Sequence, residues 1–248
     1  MYDQAVTSFE ANVESVHRLA EFDHLVQDFV LGQLEQLNKR LREDHAIANP
    51  RLAVQQAYTQ IKNIRKNDSL RPQYEYIFNQ CVVLLVSYFG SALGDIFRAA
   101  VSDALTGPGG VKKLLDEKLT VSVRELAELG TDVGAKLGDL LILKNDISFQ
   151  DMQSTFRTFR DYLGIEIKRD IQMNNIILGQ AARHVIVHAN AVANTQFMNQ
   201  VRTAVPRSLK PKLVTDERLL FTPEELRSLG DSMIGFIRIL SVRAASAA

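Results

Sequence analysis

The sequence predicts an all-α protein, and three observations carry that prediction. Apolar residues recur at three- and four-residue steps along most of the chain. The two-residue alternation of a half-buried strand is almost absent. Pro, Gly, Ser, Thr and Asp punctuate the apolar runs where helices start and stop. One short exception, residues 213–221, reads as a small β-hairpin.

Residues 4–44 read as one long helix. Phe9, Val13, Val16, Ala20, Leu34, Leu37 and Leu41 fall on one broad face. Phe22, Leu25 and Phe29 widen the apolar surface onto a second side, which points to contact with more than one partner. His17, Glu21, His24 and Asp28 line up opposite. Such spacing can hold a metal, but a solvated face with i,i+4 pairs is the commoner origin, and no metal is expected.

Asn49-Pro50 breaks that helix. A second helix over residues 51–65 carries Leu52, Ala57 and Ile61, and the polar run from Lys62 to Ser69 reads as a linker or surface turn. These residues divide the chain into an N-terminal helical extension, 1–65, and a helical domain, 66–248. A third helix starts after Ser69, with Pro72 in its first turn, and runs to about Leu105. It is the most hydrophobic of all and should be central.

Thr106-Gly-Pro-Gly-Gly110 invites a phosphate-loop reading but lacks the Gly-Lys-Ser/Thr ending and a preceding strand. A helix end with a turn is the better account. Residues 111–143 give two or three short helices, broken near Leu119-Thr120 and Gly130. Ser148-Phe-Gln-Asp151 looks like a capping box with Asp in place of Glu. The helix it opens runs to about Tyr162 and is closed by Leu163-Gly164-Ile165. A helix from about Asp170 to Asn190 follows, then a short continuation at 194–201, a loop bracketed by Pro206 and Pro211, and the hairpin. Thr222-Pro223-Glu-Glu225 is a strong helix start, and the final helix carries Leu226, Leu229, Met233, Phe236, Ile237 and Leu240.

Composition narrows the function classes. The 248 residues hold 29 Lys and Arg against 29 Asp and Glu, so no global charge draws nucleic acid to the chain. One cysteine, Cys81, excludes an internal disulfide and a multi-cysteine zinc site, and its apolar surroundings make it a core residue. No secretory leader pattern opens the chain and no apolar run approaches a membrane span, so a soluble cytoplasmic protein without a membrane partner is expected.

The most informative stretch is Gln180-Ala-Ala-Arg183-His184-Val-Ile-Val-His188-Ala-Asn190, which holds two of the five histidines beside an arginine. On a helix, His184 and His188 share one face, one turn apart. Arg183 points about 140° away from His188, with Val187 between them. Leu178, Ala182, Val185 and Ala189 form a separate apolar stripe. Histidine titrates near neutrality and can take a proton from an RNA 2′-hydroxyl or give one to a leaving 5′-oxygen. Arginine stays charged and fits the phosphate that gains charge between them. This scheme needs no metal or other cofactor. The structural alternative is a pair of helix histidines bonded to nearby carbonyls, with Arg183 in a salt bridge.

Arg183-His184-Val-Ile-Val-His188 resembles the signature of the HEPN superfamily: Arg, four to six residues, then His, with a polar residue such as His184 after the Arg. The resemblance to the RiboL-PSP type of HEPN domain covers about residues 70–243. The apolar helix around 82–97 looks like its early helix. Asp146-Ile-Ser-Phe-Gln150 with Leu163-Gly-Ile165 looks like its middle segment, and Leu220-Phe-Thr222 with the closing helix like its end. The resemblance implies a helical bundle that pairs as a homodimer with its two motifs facing each other. It implies an endoribonuclease, in toxin–antitoxin systems or antiphage defence, that cuts RNA and leaves a cyclic phosphate. Arg183, His188 and His184 would be catalytic and Asn190 would hold substrate. Residues 1–65 lie outside the resemblance, with three roles open to them: packing on the bundle, extending the dimer, or binding an antitoxin or regulatory protein. The family also contains inactive members that only bind RNA or a partner protein.

Overall fold

The computed structural model describes residues 1–43, 50–65, 71–106, 112–129 and 133–247, and among them the chain is helical with no strand. Helices α1 (Tyr2–Glu43), α2 (Pro50–Arg65) and α3 (Arg71–Thr106) are followed by three short ones, α4 (Lys112–Asp116), α5 (Val123–Leu129) and α6 (Val133–Lys144). Then come α7 (Met152–Leu163), α8 (Ile171–His188), α9 (Thr195–Val201) and α10 (Pro223–Ala247). The expected breaks at Asn49, at 107–110 and at Gly130, and residues 66–69 of the linker, lie outside the described residues, whereas residues 62–65 of that linker belong to the end of α2.

Helix α3 is the axis of the core. Cys81, Val82, Leu85, Phe89, Leu93, Ile96, Phe97 and Val101 are all buried along it, and α1, α6, α8 and α10 pack around it. Burial pushes the Cys81 thiol up to about 11, as befits a small apolar filler. One sequence expectation needs correcting here. Residues Tyr76–Leu105 are long and apolar enough to cross a membrane by length and composition, although half of this stretch is buried within the bundle. Three aromatic rings from three helices meet in the core, where Phe89 stands 5.9 Å from Phe9 and 5.7 Å from Phe236.

Helix α1 changes character along its length. Phe9, Val13, Val16 and Ala20 are buried against α3 and α10, whereas Phe22, Leu25 and Phe29 are 63, 56 and 67% exposed. His17 does not lie on the solvated face that the spacing predicts. It is half-buried under α10, where a Cβ on Gly230 would stand 3.0 Å from its Nε2. Gly230 is what lets α10 come that close, and Glu21 pairs with Arg227 of α10 rather than with a neighbour on α1.

Two local expectations also change. Ser148 does not cap α7. Asp151 does, accepting from the Ser154 amide at 2.8 Å, while Ser148 Oγ accepts from the Gln150 amide. The acid at the fourth position is itself the better cap, which moves the helix start three residues on. Gly164 closes α7 at φ 66°, its N–H donating to the Arg160 carbonyl at 2.9 Å. The hairpin at 213–221 is absent. That segment runs antiparallel to residues 191–193 instead, through Ala193 N–H to Glu217 O at 2.9 Å, Leu219 N–H to Ala191 O at 2.8 Å and one isolated bridge, Val192 to Arg218. Buried Asn79 of α3 fixes it, donating to Leu219 O and accepting from Phe221 N–H. Long-range bonds, which local sequence does not encode, decide that pairing. The Thr222 start holds as read, with Thr222 and Glu225 capping each other's amides.

Candidate functional site

Helix α8 starts at Asp170, whose side chain accepts from the Met173 amide at 2.8 Å. Leu178, Ala182 and Val185 are buried, as the far-side stripe predicts. Gly179 brings the helix close to α10, since a Cβ there would lie 2.8 Å from Leu229 Cδ1. The inner face is therefore fixed, and the outer face carries Arg183, His184, Val187 and His188.

Arg183 and His184 are half-buried, while Val187 is 47% exposed and His188 is exposed. The two imidazoles touch, with ring centroids 4.9 Å apart and planes tilted by 50°. Among the described residues, Arg183 makes no hydrogen bond or ion pair, and neither imidazole is bonded to a carbonyl. The salt bridge and carbonyl bonds of the structural alternative are thus not seen. His188 is the last helical residue.

Asn190 is not on the helix. It follows the Ala189 cap in a left-handed conformation at φ 50°, so the helix stops two residues earlier than its sequence pattern predicts. Its Oδ1 lies 3.5 Å from Arg218 Nη2. Arg218 stacks on the Tyr76 ring, 4.5 Å from its centroid, and donates to the Tyr76 hydroxyl. Asn190 therefore belongs to a group that includes α3, while Arg183 and His184 face another way.

What they face is a cleft of about 630 Å³ between α7, α8 and α9. Met152 and Phe156 of α7 and Ile177 and Ala181 of α8 supply its apolar lining, with Ile167 from the connecting loop. Amide side chains approach from three directions: Gln150 and Gln153, Gln180, and Gln200. Arg169 enters beside them, its guanidinium held by Nε to Asn174 Oδ1 at 2.8 Å and Nη2 to the Thr203 carbonyl at 2.6 Å. Among the described residues Asp151 is the one carboxylate in the wall, and it is engaged in capping α7. His188 and Asn190 are not part of this wall.

Sequence reasoning missed Arg169 and the glutamines. Gln180 had a readable signal, because it precedes Arg183 and His184 by three and four residues and so shares their face. The others come from separate elements, and no spacing in the chain links them. Compared with models of protein families, with curated proteins and with solved structures, the chain matches none.

Proposed function

We propose that the chain is a metal-independent endoribonuclease of the HEPN type, cutting RNA by attack of the 2′-hydroxyl at a site composed from two copies of α8. The observation that carries this reading is a half-buried arginine with no acidic partner among the described residues, one residue from an imidazole that touches a second. Salt-bridged structural arginines are closed. An open guanidinium beside two open imidazoles is poised for an anion.

In this scheme one histidine takes the 2′-hydroxyl proton and another protonates the 5′-oxygen as the P–O bond breaks, leaving a 2′,3′-cyclic phosphate. Arg183 neutralises the charge that builds on the phosphoryl oxygens. Base and acid must act from opposite sides of the phosphorus, and one protomer offers both imidazoles on one turn. A two-fold pairing through exposed Val187 brings His188 of one protomer opposite its copy in the other, with an arginine at each rim. A cytoplasmic toxin or antiphage effector is the setting such an activity fits. Incubation of mixed RNA with the protein in EDTA tests the reading. Wild type is expected to cut and leave cyclic ends, and the Arg183→Ala/His188→Ala variant to leave the RNA intact. Identical RNA patterns from the two proteins would sink it.

A second reading, a catalytically inactive HEPN-like module that binds RNA or a partner protein, is favoured by the exposed face of Phe22, Leu25 and Phe29 on α1. Exposed apolar residues in such a group commonly mark an interaction surface. An antitoxin or regulator docked there would restrain the nuclease in the first reading and be the whole function in the second. Loss of growth inhibition on His188→Ala substitution separates the two.

A further inference from the structure

We infer that the cleft beside Arg183 is a pocket for one unpaired nucleotide, whose base it grips and whose phosphate it hands toward Arg183 and His184. The inference rests on the ribonuclease reading for its connection to catalysis, but its own observations lie elsewhere in the wall. The cleft volume of about 630 Å³ is in the range that encloses a small organic ligand. Its lining pairs an apolar floor that includes a phenylalanine, Phe156, with amide groups at the edges. Unpaired bases are bound in that way: the ring lies on an aromatic or apolar surface, and its edge bonds to polar side chains.

Gln180 is the decisive residue. It is only 7% exposed, yet it lines the cleft. Its Nε2 donates to the Phe149 carbonyl at a long 3.5 Å, and its carboxamide oxygen receives no hydrogen bond from any described residue. That oxygen is not among the polar atoms sealed from solvent without a partner, so it opens to the cleft while the rest of the side chain is buried. The carboxamide has one acceptor and a second N–H to offer side by side, the pattern that a base edge matches in a bidentate fashion.

The charges complete the case. Arg169 and Arg183 stand in the same wall, and the one carboxylate there among the described residues is occupied with the Ser154 amide. Arg169 is held on one edge by Asn174 and Thr203, so its position is set before a ligand arrives. Two guanidiniums around an apolar slot fit the phosphates on either side of an extruded base. A base within a duplex cannot enter without leaving its stack, so unpaired RNA is the form that fits.

The test uses the full-length protein. Calorimetric titration with AMP, CMP, GMP and UMP is run beside sodium phosphate, and anisotropy is run with a labelled single-stranded 12-mer and with a duplex of the same sequence. At least one mononucleotide or the single strand is expected to bind about tenfold or more tightly than phosphate or the duplex, consistent with the discrimination of a bidentate contact. Gln180→Met, which keeps length and removes the amide, should erase that margin. Should this variant fail to fold, Gln153→Ala and photo-cross-linking of a 4-thiouridine strand to the wild type replace it, with cross-links expected on the Gln150–Phe156 segment.

Binding of the strand alone would place the pocket on RNA. Equal binding of a mononucleotide would make a free nucleotide sufficient, and either result supports the pocket. No binding above phosphate, an unchanged margin in both variants, or cross-links confined to other faces would overturn it. If nucleotide binding depends on Gln180 but no RNA is cut, the pocket stands and the nuclease reading falls. If RNA is cut without any effect of Gln180 or Gln153, the pocket falls and the nuclease reading stands.

Discussion

At the start of α8, Asn174 and Asn175 are buried and closed. Asn175 accepts from the Ser208 and Leu209 amides at 3.1 Å each and donates to Ser208 Oγ at 2.8 Å and Ser232 Oγ at 3.3 Å. Asn174 donates to the Pro206 carbonyl and accepts from Arg169. On the same helix, nine residues after Asn174, Arg183 has no hydrogen bond or ion pair among the described residues, and His184 and His188 meet only each other's rings. The closed end specifies how the loop before α10 lies against the bundle. Polar groups there are answered by the protein, as folding requires of buried donors and acceptors. At the open end the polar groups face a cleft or solvent with their capacity unspent, and that is the condition for meeting a ligand.

The contrast is sharpest in the response to alanine. Arg183→Ala is expected to lower kcat/KM on RNA about 10²–10³-fold, the usual cost of losing one charge-stabilising donor. It should move Tm by no more than about 2 °C, since no intramolecular bond is lost. Steady-state cleavage assays beside thermal melts check both halves. A large drop in Tm would place Arg183 with the asparagines.

Val187→Glu probes assembly at the same end. Val187 is 47% exposed in the protomer, so the substitution should leave the monomer folded. In a two-fold interface it would bury an unpaired charge and weaken self-association by on the order of 100-fold, taking activity with it. Sedimentation velocity with parallel RNA assays reads this out. A monomer that cuts RNA at full rate would break the composite-site model.

Asn175→Ala should behave in the opposite way. It strands two backbone amides, of Ser208 and Leu209, and is expected to cost about 2 kcal/mol of stability. That corresponds to about 4–8 °C in Tm. Cleavage per folded molecule should stay at the wild-type level, as judged by active-site-normalised rates well below Tm.

The same division explains what was legible in the sequence. Every described helix was readable, because periodicity and punctuation are local: Gly164 at the end of α7 and the Thr222–Glu225 box are examples. Arg183, His184 and His188 were readable because three chemically distinctive residues fall within six positions. Arg169, Gln153 and Gln200 were not, because no spacing in the chain links them to the motif: Arg169 lies in the loop between α7 and α8, Gln153 is on α7, which packs on α3 and α4, and Gln200 is on α9, which packs on α8. The pairing of residues 215–219 with 191–193 was invisible for a similar reason, since it depends on Asn79, 140 residues from Leu219. His17 was misplaced because the pattern of α1 alone cannot show that Gly230 lets α10 cover it.

The smallest effect belongs to the first residue of the closed end. Asp170 caps α8 through the Met173 amide, and losing such a cap costs about 1 kcal/mol in most proteins. The bonds of Asn174 and Asn175 begin one turn later and clamp the helix to residues 206–209 whether or not the first turn frays. Asp170→Ala should therefore lower Tm by about 2–4 °C and go no further along the helix. His184 lies three to four turns away, beyond Gly179 and its contact with Leu229, so ring stacking on His188 should survive and cleavage should not change. Urea melts and RNA assays on one preparation settle it. If cleavage falls by more than the unfolded fraction accounts for, the two ends of α8 are coupled, and the cap at Asp170 helps set the position of Arg183 in the cleft.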